Sequence, residues 1–125
     1  MVIRGSSSGH AETLARLGKA ISSRGLTLFC HIDHAEGARA AGLDLPPEDV
    51  LLFGNPKAGT ALLQEDPRAG YELPLRILVW QEGERVRVGY SAPRELAHTY
   101  QLEKTAGVLD AMAALLDELA AEASS

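Results

Sequence analysis

Two short blocks of this chain carry residue types that do chemistry. The first is His31-Ile32-Asp33-His34 and the second is Gly54-Asn55-Pro56-Lys57-Ala58-Gly59-Thr60. Imidazole and carboxylate groups this close together suit either a metal or proton transfer. On a regular strand His31 and Asp33 share a face and His34 lies opposite. A strand that ends near Asp33 would let His34 swing over, with Asp33 setting the tautomer of the His34 imidazole. A metal would need a further ligand from far along the chain, such as His98 or Glu36, and the paired cysteines of common zinc sites are missing. The block is therefore not taken as a metal site. The plainer alternative is that Asp33 and His34 hydrogen-bond the turn that follows.

The second block follows a strand-like run and precedes a helix-like one. Its two glycines have the spacing of a phosphate-binding loop, with Thr60 after the second. Backbone amides at a helix start hold anions. The lysine that should follow the second glycine is absent, and Lys57 lies inside the block instead. This favours a small anion or carboxylate, held by Lys57, Thr60 and loop amides, over a nucleotide. The plain alternative is a tight loop that Asn55 caps and Gly54 and Gly59 permit. No serine sits in a Gly-x-Ser-x-Gly elbow. Cys30 and His31 are strand neighbours that face opposite ways, which argues against a nucleophile–base pair.

Several elements must position these blocks. Val2 to Gly5 is an opening strand. Ser6-Ser7-Ser8-Gly9 offers helix-capping chemistry, and Leu14, Leu17 and Ile21 form one stripe of a helix that Gly25 stops. Leu26 to Asp33 alternates as a strand, with Leu28, Cys30 and Ile32 on one face and Thr27, Phe29, His31 and Asp33 on the other. An alanine-rich surface helix ends near Gly42, and Pro46-Pro47 breaks regular structure. Val50 to Phe53 is an apolar strand. GNPKAGT is expected as a loop, followed by a short helix that Pro67 ends. Leu73 to Gln81 and Arg85 to Tyr90 make the clearest hairpin, with Val86, Val88 and Tyr90 on one face. From Gly107 onward, Leu109, Met112, Leu116 and Leu119 step by three and four along a final helix. The order predicts an α+β layer in which an antiparallel sheet gives one face to helices. The other face would carry Phe29, Trp80 or Tyr90, and a two-fold dimer would cover it.

At 125 residues the chain is expected to be a single domain, 1–125, with its own core. A net charge of −5 gives no concentrated positive surface for nucleic acid. Cys30 is the only cysteine, which excludes an intrachain disulfide, and its apolar run suggests a small buried hydrophobe. The first residues lack the apolar stretch of a secretory signal, and no run approaches the length of a membrane span. A soluble cytoplasmic protein without membrane partners is the expectation.

One further signal is the order of the motifs. Phe29, Ile32, Asp33 and His34 are followed by Ala38, Ala41, Gly42 and Leu43, then by L-P-P, LLFGNPKAGT, L-P-L-x-x-L-V-W and Y-x-x-P. This series resembles the domain-of-unknown-function 302 family over essentially the whole chain. The resemblance implies a β-α-β4-α fold, similar to half of the TATA-binding-protein-like class, and a homodimer. It implies no known reaction. The family often has an arginine–histidine pair after Y-x-x-P; here the stretch reads Glu95-Leu96-Ala97-His98, so only His98 carries over. The functional expectation is a homodimer that binds a small polar or anionic ligand through Asp33, His34, Asn55, Lys57, Thr60 and His98, with the cofactor unknown. Its rivals are a purely structural or interaction domain, and a small enzyme with His34 as general base. The ligand reading requires His34 and Lys57 to border one hollow.

Overall fold

A computed structural model describes residues 1–125. Five strands form one sheet: β1 (Val2–Ser6), β2 (Thr27–Asp33), β3 (Glu48–Gly54), β4 (Leu75–Glu82) and β5 (Arg85–Tyr90). Their order is β1-β5-β4-β3-β2, and every neighbouring pair is antiparallel. The helices are α1 (His10–Ser23), α2 (His34–Ala40), α3 (Pro56–Glu65), α4 (Leu96–Thr99) and α5 (Ala106–Ser124). The expected α+β fold is therefore present. The main elements keep the expected β-α-β4-α order, and the two short helices expected between strands are α2 and α3.

Alternation along the central strands decides which face is buried. Leu51 and Phe53 of β3, Ile77 and Val79 of β4, and Val86, Val88 and Tyr90 of β5 meet Leu17 and Ile21 of α1 and Leu116 and Leu119 of α5 in one core. Arg4 lies opposite Val88 on this same side and reaches Asp117 of α5 at 3.0 Å. The other face carries Ile3, Ile32, Val50, Leu52, Leu78 and Trp80, and Ile3 and Ile32 are exposed. Tyr90 thus belongs to the core. Trp80 is the aromatic residue of the open face, where its indole donates to Glu82. A smaller second core gathers Leu62, Ala69, Leu102, Leu109 and Met112 beneath α3.

Three local expectations are corrected. The serines do not cap α1; its N-cap is Gly9, and the buried Thr13 hydroxyl bonds back to the Gly9 carbonyl at 2.8 Å. Cys30 is exposed, because β2 is an edge strand and Cys30 pairs with Leu52 on the open face. GNPKAGT is not a loop. Gly54 ends β3, Asn55 caps α3, and Pro56 opens the helix at the position where a missing amide hydrogen costs nothing.

Candidate functional site

Strand register separates the two chemical blocks. In the β2–β3 pair, Asp33 lies opposite Asp49 and Thr27 lies opposite Gly54. Five residue steps along β3, from Asp49 to Gly54, separate these points, a span of about 17 Å at the usual rise. Asp33 and His34 therefore stand at one end of the strand pair, and Asn55, Lys57 and Thr60 at the other. His98 is exposed on α4. Each block has its own cavity.

At the Asp33 end the carboxylate is spent on the chain itself. Asp33 caps α2, accepting from the Glu36 amide at 2.9 Å. His34 is the first residue of that helix and is exposed. The imidazoles that do meet a carboxylate are others. His10, at the first position of α1, donates from Nε2 to Oδ1 of Asp49 at 2.7 Å. His31 donates from Nε2 to Oδ2 of the same carboxylate, also at 2.7 Å. Both distances fall in the range of charge-assisted bonds. Burial pushes the Asp49 carboxyl up, but the bonds from His10 and His31 together outweigh it and hold the group below its ordinary value. Asp49 is therefore an ionised acceptor at neutral pH. The cluster forms one wall of a cavity of about 330 Å³ that also presents Leu14, Asp33 and Arg39.

At the other end lies a cavity of about 480 Å³. Its walls are mainly apolar, with Phe29, Leu63, Leu73, Leu75, Met112 and Leu115 contributing. Asn55 and Thr60 are its polar side chains. The Asn55 side-chain oxygen Oδ1 accepts from the Lys57 amide at 3.0 Å, and the Thr60 hydroxyl donates to the Pro56 backbone carbonyl at 2.7 Å. Each keeps spare capacity, the Asn55 amide hydrogens and a Thr60 lone pair. Glycines keep this cavity open: a Cβ on Gly59 would sit 3.6 Å from Leu73, and one on Gly70 would sit 3.4 Å from Leu63.

The match of the chain to a family model spans residues 3–119, nearly its whole length, and the description of that family is "Domain of unknown function DUF302". The chain belongs to the DUF302 family. A DUF302 crystal structure from Bacillus stearothermophilus superposes with a TM-score of 0.86 at 22% identity, covering 98% of this chain and 96% of that one, which shows the shared fold. Two curated relatives are fluoride-specific ion channels. FluC 1 of Brucella suis biovar 1 is 40% identical over 93 residues, 74% of this chain but 37% of its own length. FluC 2 of Brucella melitensis biotype 1 matches at the same identity over 34% of its length. This DUF302 chain thus spans about a third of those proteins. No helix in it is long and apolar enough to cross a membrane.

Within this DUF302 fold, the motif blocks are conspicuous in sequence yet partly architectural. Asp33 and Asn55 each cap a helix. His10 and Asp49, which lie outside both blocks, form a largely buried imidazole–carboxylate pair. A signal for Asp49 exists in the sequence. It alternates with Leu51 and Phe53, so a carboxylate is placed on the buried side of a strand, where it needs a partner.

Proposed function

We propose that this DUF302 chain is a homodimeric module that binds a small amphipathic anion, its apolar body in the cavity beside α3 and its charge at Lys57. The observation that carries the reading is the 480 Å³ apolar cavity walled in part by the first turns of α3. Ligand sites are commonly clefts of this size, mostly apolar with a few polar groups. Lys57 is exposed and joins none of the ion pairs of the chain. Lys57 does not itself line the cavity but stands between Pro56 and Ala58, which do, and in this reading its ammonium meets the carboxylate of a medium-chain or aryl acid at the cavity mouth. Asn55 and Thr60 supply hydrogen bonds. In this reading Asp33, His34 and His98 lie away from the ligand.

Homodimerisation rests on the open face of the sheet. Ile3 and Ile32 are 48% and 39% exposed there, beside the half-buried Leu78 and Trp80. A second copy would remove this apolar surface from water. Sedimentation of the wild type and of an Ile3→Glu/Ile32→Glu variant tests it; a wild-type monomer at micromolar concentration overturns it.

A thermal-shift panel of octanoate, benzoate, phosphate, acetate and fluoride tests the ligand. Fluoride is included because the relatives from Brucella carry that ion in their names. Octanoate or benzoate is expected to raise the melting temperature of the wild type, and less so that of Lys57→Ala. Stabilisation by fluoride alone would replace the amphipathic reading with simple halide binding.

A further inference from the structure

We infer that the His31–Asp49 pair is a proton-transfer site, in which His31 is a general base toward a neutral or cationic hydrogen donor held in the 330 Å³ cavity. This site is separate from the apolar cavity and does not depend on what that cavity binds.

Chemistry fixes the tautomers. An ionised carboxylate only accepts, so the two Nε2 atoms that reach Asp49 carry their protons. Each neutral ring then keeps its lone pair on Nδ1. A carboxylate that holds an imidazole in one tautomer and stabilises its protonated form is the arrangement that makes histidine an effective base.

Burial distinguishes the two rings. The His10 side chain is 10% exposed, and its Nδ1 is buried without a partner. His10 also lines the cavity, but its free nitrogen, Nδ1, is buried away from a ligand, so His10 anchors Asp49. The His31 side chain is 44% exposed and lines the cavity. His31 is the working residue, and Asp49 and His10 are positioning residues.

The cavity wall restricts the ligand. Asp33 from β2 and Asp49 from β3 bring two carboxylates, and Arg39 from α2 brings one guanidinium, which already pairs with Glu36 at 2.5 Å. With both histidines neutral, the lining groups sum to net negative, which disfavours a bare anion. In the step itself, Nδ1 of His31 takes a proton from an O–H or activated C–H of the substrate. The electron pair of that bond stays on the substrate atom, and the imidazolium that forms lies against Asp49. Return of the proton to another atom of the same substrate restores the neutral ring, so no oxidant, reductant or cofactor is consumed.

Diethyl pyrocarbonate tests this reactivity without a known substrate. An unprotonated imidazole nitrogen attacks one carbonyl carbon, a carbon–oxygen bond breaks, and ethanol and carbon dioxide leave. Peptide mapping by mass spectrometry at pH 8 gives the rate at each histidine, with the exposed His34 and His98 as internal standards. His31 is expected to react about tenfold faster than either, and Asp49→Asn to bring it within about twofold of them. Long-range proton–nitrogen NMR of the wild type is expected to show His31 with its proton on Nε2. Equal wild-type rates at His31, His34 and His98, or a His31 proton on Nδ1, would overturn the inference. Both readouts use the wild type, so they decide even where Asp49→Asn fails to fold.

Discussion

Replacing Asp49 with asparagine tests how much the imidazole–carboxylate cluster contributes to the fold. The asparagine oxygen can still accept from one ring, but its amide nitrogen then faces the Nε2–H of the other, donor against donor. One charge-assisted bond is lost outright, worth about 1.5–3 kcal/mol, and the second becomes a neutral one. Against this, the wild type carries the cost of burying a carboxylate that is 5% exposed, and the variant does not. The net expectation at pH 7 is a loss of about 2 kcal/mol. With a urea slope of about 1–3 kcal/mol per molar, the midpoint should fall by roughly 1 M. The pH dependence follows from the depressed carboxyl of Asp49. A carboxyl whose folded value lies below its unfolded one stabilises the fold above the unfolded value, near 3.9, and this contribution disappears as pH falls through the folded value. The gap between wild type and Asp49→Asn should therefore be full at pH 7 and narrow as pH drops below about 4. Urea unfolding followed by circular dichroism at both pH values measures it. No gap at pH 7, or a gap unchanged in acid, would refute the assigned role of Asp49.

Other substitutions probe the cavities and the core. Gly59→Ala removes a helical glycine from α3 and places its Cβ at an ordinary 3.6 Å from Leu73, so thermal denaturation should show a gain of up to about 1 kcal/mol. Gly59→Leu should fill the apolar cavity and abolish stabilisation by octanoate in the thermal-shift assay while the chain stays folded. Phe53→Ala empties a fully buried site in the main core and should cost about 3–5 kcal/mol in urea unfolding. Asp66 accepts from Arg68 and from the Gln101 amide, bonds that hold its carboxyl well below the ordinary range. Asp66→Asn should therefore lower the urea midpoint at neutral pH and lose that effect in strong acid, where the wild-type carboxyl is itself protonated.

Periodicity exposed most of the fold. Val86, Val88 and Tyr90 alternate onto the core, and Leu109, Met112, Leu116 and Leu119 bury along α5 as their spacing predicts. Strand β2 was legible as a strand but not as an edge. Its apolar set, Cys30 and Ile32, faces the open side, and His31 and Asp33 face the side of the helices. Local sequence cannot distinguish an edge strand from a central one, because the difference lies in what pairs beside it. The second block was legible as a strand-to-helix junction, yet Pro56 marks a helix start more strongly than the glycines mark a loop. The site divided for the same reason. His34 and Lys57 belong to blocks that are near in sequence, but antiparallel pairing of β2 with β3 sends the blocks to opposite ends. His10 joins Asp49 from a distance of 39 residues, a contact that only the folded sheet and α1 create.

A nitrogen–proton correlation spectrum of the labelled protein, titrated with octanoate, tests the proposed ligand site most directly. Shifts should concentrate at Gly54, Lys57, Gly59 and Thr60 and in the neighbouring residues Phe29, Met112 and Leu115, and leave the His10 and His31 region still. Saturable shifts centred on His31 and Arg39 instead, or none at all, would contradict an anion site beside α3.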